Sequence, residues 1–318
     1  MKAIILLSAL LYSLSAFSQG REQLLKEAGQ LEADSNYGKA ITIYNELLVT
    51  DSNDYEVYKK RGYLYESMKD YRTAMMDYSH SIHSNRRYFD AWARRAMLLA
   101  RLGYLENSLK DYNTALPLAD DKDMKLLVLV NRGEIKRELR QPEEAVVDFK
   151  QALQVDSNNL GVLADLGATL SMLQRQDEAI VYLTKAITID STFEGGYVNL
   201  AFLYANLGDY KKSLELNNRI LRLKPNEAYA LNNRGYAKMQ LGDLEGALED
   251  INNSILQAPQ NSYAFRNRGL LYIKRNKPEE ACADLHKALS LGFTQEYGDE
   301  VEELVKKNCQ SRPGMRKM

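Results

Sequence analysis

A unit of 34 residues recurs along this chain and limits what it can fold into. Related strings occur at four points: RGYLYESMKDYRTAMMDY from Arg61, NRGEIKRELRQPEEAVVDF from Asn131, NRGYAKMQLGDLEGALED from Asn233 and NRGLLYIKRNKPEEACADL from Asn267. Sliding this pattern along the chain gives eight units, starting near residues 21, 55, 89, 126, 160, 194, 228 and 262, with an insertion at 123–125. A repeat of this length predicts one supersecondary unit stacked on the next.

Two positions of the unit hold a small residue in every copy. The eighth position holds Ala28, Gly62, Ala96, Gly133, Gly167, Ala201, Gly235 and Gly269, and the twentieth holds Ala40, Ala74, Ser108, Ala145, Ala179, Ser213, Ala247 and Ala281. The fourth position is large throughout, and the twenty-fourth is large except at Asn217. Small residues let two helices cross closely while large neighbours fill the space around them. The pattern therefore predicts paired helices.

These features resemble the tetratricopeptide repeat family over about residues 21–295. The resemblance implies an all-α fold, an α-solenoid of about eight helix-turn-helix repeats spanning 19–295, whose first helices line a concave groove. The stretch DEVEELVKKN from Asp299 has an apolar stripe, which predicts a C-terminal capping helix within 296–309. Two departures are the repeat-end proline, found only at Pro225 and Pro259, and the polar Asn217 at a core position.

The N-terminus has the pattern of a secretory signal peptide over residues 1–18. Lys2 precedes an apolar run, and Ala16 and Ser18 are small residues at the cleavage positions, so Gln19 is the expected first mature residue. The signal resembles that of a secreted bacterial protein, which predicts a periplasmic or secreted chain with no membrane span after cleavage. An uncleaved anchor is the alternative. Residues 310–318 are expected to form a disordered tail.

Composition argues against nucleic-acid binding and against catalysis. The chain has 42 Lys and Arg residues against 43 Asp and Glu residues, so no basic excess points to nucleic acid. It has three histidines, and His80 and His83, three residues apart, lack a nearby third ligand. No phosphate-binding loop or nucleophile motif occurs. We therefore expect no enzyme activity, no cofactor and no metal site.

The two cysteines are placed so that they could form a disulfide. Cys282 lies ten residues before Gly292, and Cys309 lies ten residues after Asp299. If two antiparallel helices flank the connecting segment, their matching lengths bring the cysteines together, and an exported protein can keep the bond. The alternative is two unlinked thiols.

An asparagine row predicts a peptide-binding site. The sixth position of the unit is Asn131 in repeat four, Asp165 in repeat five, and then Asn199, Asn233 and Asn267. An amide both donates and accepts, so it can pair with any peptide backbone. The row resembles the asparagine ladder of some tetratricopeptide proteins, although Asp165 interrupts it. The alternative is that these asparagines are simply solvated.

Other groove positions carry charge or aromatic rings. Lys60 and Arg94 could attract an acidic segment, or could belong to a solvated face balanced by nearby carboxylates. Tyr229, Tyr236 and Tyr263 are candidate anchors, or they pack between repeats.

Three arginines in the string Asn-Arg-Gly have a predicted structural role. Arg132, Arg234 and Arg268 lie beside the core, and we expect their heads to reach acidic residues of a neighbouring repeat.

These patterns together predict an exported scaffold that binds a protein or peptide in its concave groove. The alternative is a structural assembly subunit of an envelope complex, which docks through its convex face or its edges.

Overall fold

The computed structural model describes residues 20–309 of the chain. The predicted signal peptide, Gln19 and the predicted tail at 310–318 lie outside the described residues. Every regular element within 20–309 is a helix, and no strand occurs there. No helix in this part of the chain is both long and apolar enough to cross a membrane.

The first of two compact units, Met1–Asp156, contains four helix pairs and is called the N-terminal unit below. Its helices are α1 (20–33), α2 (Tyr37–Thr50), α3 (Tyr55–Ser67), α4 (Tyr71–Ser84), α5 (Phe89–Arg101), α6 (Leu105–Ala115), α7 (Lys122–Glu138) and α8 (Pro142–Val155). A 3₁₀ turn, Leu116–Leu118, follows α6.

The second unit, Ser157–Met318, is called the C-terminal unit and holds four further pairs and two terminal helices. Its helices are α9 (Leu160–Met172), α10 (Gln176–Ile189), α11 (Glu194–Asn206), α12 (Tyr210–Leu223), α13 (Ala228–Gln240), α14 (Leu244–Gln257), α15 (Ser262–Lys274), α16 (Pro278–Ser290), α17 (Phe293–Tyr297) and α18 (Glu300–Asn308). Within each unit the helices follow the eight predicted repeats as pairs. The fold is an all-α stack of helical repeats with a C-terminal helix, as the sequence predicts.

Each helix pair turns at one residue with a left-handed backbone, fifteen positions into the repeat. Three of these residues are glycines, Gly103, Gly208 and Gly242, while the other five are Ser35, Lys69, Arg140, Gln174 and Asn276. In the second repeat the backbone N–H of Asp70 then donates to the carbonyl of Tyr65 at 2.8 Å, closing the end of α3. The turn geometry is thus common to all repeats, although glycine marks it in only three.

Close helix contact depends on the small residue at the eighth position. A Cβ atom added to Gly133 would lie 2.7 Å from the ring of Phe149, and one added to Gly167 would lie 2.5 Å from Leu183. Both distances are far below van der Waals contact, so these helices could not approach as closely with alanine there. The twenty-fourth position supplies the large partner in both pairs.

Five repeats share a buried polar contact, which we call the arginine clamp. In repeat two, Arg61 donates to both carboxylate oxygens of Asp77 at 2.8 and 2.7 Å, and to the side-chain oxygen of Asn45 in the preceding repeat at 2.7 Å. The same arrangement recurs as Arg95–Asp111–Ser79, Arg132–Asp148–Asn113, Arg234–Asp250–Asn218 and Arg268–Asp284–Asn252.

The clamp corrects the predicted partner of these arginines. The acidic residue lies in the arginine's own repeat, sixteen residues further on, and the preceding repeat supplies an amide or hydroxyl oxygen instead. The aspartate reaches the arginine because it lies one turn of the second helix from the small twentieth residue. In repeats five and six the arginine is replaced by the buried Leu166 and Leu200.

The insertion at 123–125 lengthens a helix rather than forming a loop. It lies in the first turn of α7, which begins at Lys122 instead of Leu126. Asp121 caps this turn by accepting from the backbone N–H of Met124 at 2.7 Å.

The C-terminal capping helix, predicted within 296–309 from the stretch that begins at Asp299, is present as α18. Gly298, with φ +90°, separates the short α17 from α18, which begins at Glu300. Val301 of α18 is fully buried against Phe265 and Leu285 of repeat eight. α18 therefore covers the last repeat, and α17 is an additional short helix that precedes it.

Cys282 and Cys309 form a disulfide in the structure. Their Cα atoms lie 5.5 Å apart, and the bond joins the second helix of repeat eight to the end of α18. The link closes a loop with a sequence separation of 27 residues.

We expect Arg61→Leu to destabilise the N-terminal unit by roughly 3 kcal/mol, because it leaves the buried Asp77 carboxylate without its cation. The double variant Arg61→Leu/Asp77→Leu reproduces the leucine pair Leu200 and Leu216 of repeat six and should regain most of that loss. Urea denaturation followed by circular dichroism measures both free energies of unfolding. If the double variant is no more stable than the single one, the unpaired carboxylate of Asp77 is not the cause of the lost stability.

The hydroxyl of Tyr112 is buried without a hydrogen-bond partner within residues 20–309, whereas that of Tyr78 donates to Glu66 at 2.8 Å. Tyr112→Phe should therefore stabilise the protein by roughly 1 kcal/mol, and Tyr78→Phe should destabilise it by about as much. Repeat four already has Phe149 at this position. Urea denaturation midpoints measure both effects. The midpoint should rise for Tyr112→Phe and fall for Tyr78→Phe, and a shift in the same direction for both would contradict the prediction.

Cys282→Ser/Cys309→Ser should loosen the C-terminal end. A loop of this length corresponds to about 3.5 kcal/mol in the chain-entropy treatment of disulfides. Hydrogen exchange should then accelerate in α18 and leave α13 and α14 unchanged. Equal acceleration along the whole C-terminal unit would mean that the bond does not act locally.

Candidate functional site

The C-terminal unit brings four predicted site residues to one place on its first helices. Asn233 and Tyr236 of α13 and Tyr263 and Asn267 of α15 line a small cavity of about 30 Å³, together with Phe202 of α11. The cavity has room for about one water molecule, so it marks a surface depression and not a ligand pocket.

Asn267 is not available to a ligand, which corrects the prediction at this position. Its side chain is fully buried, donates to the side-chain oxygen of Asn232 at 2.9 Å and accepts from Arg266 at 2.7 Å. Both halves of the amide are therefore used inside the fold, because an arginine and a second asparagine flank it in space.

The amides of Asn199 and Asn233 are held more loosely. Asn199 donates to the carbonyl of Ala164 at 3.4 Å, and Asn233 accepts from Asn232 at the same distance. Both side chains are partly exposed. Contacts of this length are weak, so both amides can exchange them for a ligand's backbone groups.

Asn131 belongs to the N-terminal unit and bonds within its own helix. Its amide nitrogen donates to the carbonyl of Leu127 at 2.7 Å. One of the two N–H donors that a ladder needs is therefore already engaged within the helix.

Arg266 is a functional candidate that sequence reasoning missed. Its guanidinium lies 5.5 Å from the ring centre of Tyr236 and 5.3 Å from that of Tyr263, and it pairs with Glu300 of α18. The signal was the arginine at the fifth position, where the other repeats carry Ala, Val, Leu, Lys or Asn. This residue connects the capping helix to the two predicted aromatic anchors.

The three predicted tyrosines differ in how free they are. Tyr263 stacks on Phe293 and contacts Tyr297 edge-on, with ring centres 5.6 and 5.1 Å apart, and burial raises its pKa. Tyr236 is half-buried against Tyr210. Tyr229 is 57% exposed, and Phe202 is 47% exposed. The exposed aromatic surface therefore comes from Tyr229 and Phe202, while Tyr236 and Tyr263 pack beneath it.

In the N-terminal unit, the two predicted cations lack ion pairs with any residue in 20–309. Their neighbours are neutralised: Lys59 pairs with Asp90 and Arg101 with Glu66, both at 3.1 Å. Arg94 lies 4.7 Å from the ring centre of Tyr63. Lys60, three residues before Tyr63 on α3, is partly exposed. This first-helix surface thus retains two positive charges and one half-exposed ring.

The histidines do not form a cluster with other metal ligands. His80 stacks on Tyr58 with ring centres 5.1 Å apart, and His286 contacts the carbonyl of Cys282 at 2.7 Å. Over residues 20–309 no group of three or more His, Cys, Asp or Glu side chains could hold a metal ion.

Two known structures match this fold over most of the chain. A tetratricopeptide repeat protein from Parabacteroides merdae matches with a TM-score of 0.69 and 20% identity, covering 80% of this chain and 99% of that one. The Cut9 complex with Hcn1, an APC/C hetero-tetramer, matches with a TM-score of 0.62 and 15% identity, covering 90% of this chain and 55% of that one. These likenesses show the fold.

YrrB, described as a tetratricopeptide repeat protein with an unusual peptide-binding site, matches more weakly. Its TM-score is 0.51 at 17% identity, and the match covers 59% of this chain and 95% of YrrB. Among curated proteins, no sequence matches this chain.

Sequence models described as tetratricopeptide repeat match residues 89–121, 127–159, 160–193 and 200–264. These matches do not overlap, and together they cover more than half of the chain. They coincide with the helix pairs from α5 to α14, and the structural neighbours have the same fold. The chain therefore belongs to the tetratricopeptide repeat family.

Proposed function

We propose that this protein is an exported scaffold that binds an extended segment of a partner protein along the first helices of its C-terminal unit. The observation that carries the proposal is the pairing of free aromatic surface with loosely held amides. Phe202 and Tyr229 are about half exposed, and Asn199 and Asn233 have only 3.4 Å contacts. The fold is generally non-catalytic and commonly mediates protein interactions.

The two kinds of side chain supply different parts of the binding energy. Aromatic rings bury partner side chains at a low entropy cost, because they have few rotatable bonds. The amides of Asn199 and Asn233 pair with the backbone of an extended segment, which carries unpaired donors and acceptors. The segment is thereby held whatever its exact sequence, with preference coming from the aromatic contacts.

The buried residues behind this surface keep it ready for binding. Arg266 lies against Tyr236 and Tyr263 and is neutralised by Glu300, while Asn267 bonds to Arg266. A surface already ordered in the free protein loses less entropy when a partner binds. Asn267 therefore contributes as a support and not as a contact.

The N-terminal unit offers a separate contact for acidic residues of a partner. Lys60 and Arg94 have no ion pair within the described residues, and Tyr63 lies beside Arg94. Unneutralised cations on a binding face raise the rate of association with negative segments.

Export is supported by two independent features. The signal-peptide pattern at residues 1–18 predicts secretion, and the Cys282–Cys309 disulfide is the kind of bond that persists outside the cytosol. Both features support the proposal that the protein lies in the periplasm or outside the cell.

A second candidate function is that of an assembly subunit. It is favoured by exposed apolar residues on second helices of the C-terminal unit, namely Val181 and Leu256, which are 64% and 74% exposed. Such residues could dock in a permanent complex.

Affinity capture from periplasmic and envelope fractions separates the two functions. The bait is the chain from Gln19, beside a groove variant, Phe202→Ala/Tyr229→Ala/Asn233→Ala, and a surface variant, Val181→Ala/Leu256→Ala. All five side chains are exposed or partly exposed, so both variants should fold. We expect only the groove variant to lose the captured partner. Peptides from that partner should bind this variant at least tenfold more weakly, as measured by fluorescence polarisation.

Loss of the partner only in the surface variant would instead favour the assembly subunit. If both variants retain the partner, the groove proposal is wrong.

A further inference from the structure

The N-terminal unit has a groove between α4 and α6, the second helices of repeats two and three, which is larger than the depression described in the C-terminal unit. Its volume is about 1110 Å³, and an adjoining section of about 360 Å³ shares Met75 and Leu99 with it. Both α4 and α6 pack against α5, which contributes Leu99, and Leu102 follows directly after the end of α5. The groove is separate from the first-helix surface discussed above.

The lining is largely apolar and rich in methionine. Met75 and Met76 lie beside Tyr71, Leu99, Leu102 and Tyr104. Met76 is 53% exposed and Tyr104 is 60% exposed, so much of this surface faces solvent. Methionine side chains are flexible and polarisable, which lets such a surface adapt to an apolar partner.

Few polar groups in the groove remain for the backbone of an extended peptide. The hydroxyl of Ser79 donates to the carbonyl of Met75 at 2.7 Å and accepts from Arg95 at 3.1 Å. His80, His83 and Asn107 also line the groove, but three side chains cannot pair with all the donors and acceptors of an extended chain. A helix satisfies them internally and needs only an apolar stripe to bind.

The charged groups that line the groove favour an acidic partner. Its one carboxylate, Asp111, is held by Arg95 at 2.7 and 2.9 Å. Arg72 on α4 and Lys110 on α6 are exposed and form no ion pair with any residue in the described range. Asp70, the acidic residue near Arg72, already accepts from Thr73.

The length of the groove sets the size of the ligand. Its lining follows α4 from Tyr71 to His83, roughly 18 Å at the rise of an α-helix. We propose that this groove binds an amphipathic helix of a partner protein, about three turns long. Its apolar stripe lies on Met75 and Met76, and its acidic edges lie beside Arg72 and Lys110. The proposal is independent of the proposed function and uses a different unit's surface.

The probe is a fluorescein-labelled helical peptide of about 18 residues, or five turns, with leucine along one stripe and glutamate elsewhere. A matched peptide has lysine in place of glutamate. Fluorescence polarisation with the full mature chain should show saturable binding of the glutamate peptide. Its affinity should fall at least tenfold with Met76→Glu and should fall with added salt.

Val147→Glu is the matched control, because Val147 holds the same repeat position on α8 and is equally exposed. It should leave binding unchanged. Arg72→Glu/Lys110→Glu should reverse the preference, so that the lysine peptide binds more tightly than the glutamate peptide.

Four results would overturn the proposal: equal binding of the two peptides, no saturable binding, equal loss with Met76→Glu and Val147→Glu, or loss with Phe202→Ala/Tyr229→Ala. Self-association of the wild-type chain that disappears in Met76→Glu would identify a second copy as the occupant instead. Sedimentation velocity measures that outcome.

Discussion

The arginine clamp is the interaction on which the stacking of most repeats depends. A buried carboxylate is costly unless it is paired and fully hydrogen-bonded, and Asp148 has no exposed surface at all. Arg132 meets this need from the first helix of the same repeat and then reaches Asn113 in the preceding one. Because one guanidinium joins three helices in fixed directions, it sets the rotation of the first helix as well as its distance.

That rotation decides which residues of a first helix can meet a partner. The clamp arginine is the seventh residue of its repeat, whereas the sixth and ninth positions are three residues apart and share a different face of the same helix. Asn233 and Tyr236, beside Arg234, occupy these positions in repeat seven and line one depression. In repeat six, buried Leu200 takes the arginine's place, and there the exposed Phe202 and the loosely held Asn199 are found.

The helix pairs and their contacts were predictable because they depend on residue size at fixed spacing. The small eighth position and the large twenty-fourth are visible in every copy but one, and they meet in space as Gly133 and Phe149 do. The turns were only partly visible, since five of the eight left-handed residues are not glycine. The apolar stripe also indicated the capping helix, whereas the five-residue α17 was not predicted because it is too short to show a helical period.

The state of each site residue could not be predicted, because it depends on neighbours distant in sequence. Asn199, Asn233 and Asn267 occupy equivalent positions, yet only Asn267 is fully buried, through Asn232 from the previous repeat and the adjacent Arg266. A repeat therefore fixes where a side chain begins but not what it contacts. Specific function in such a fold arises where one copy departs from the others. Met76 and Val147 have the same position and exposure, but only Met76 lies in a wide groove between two cations. The same scaffold position can thus be inert surface in one repeat and a binding surface in another.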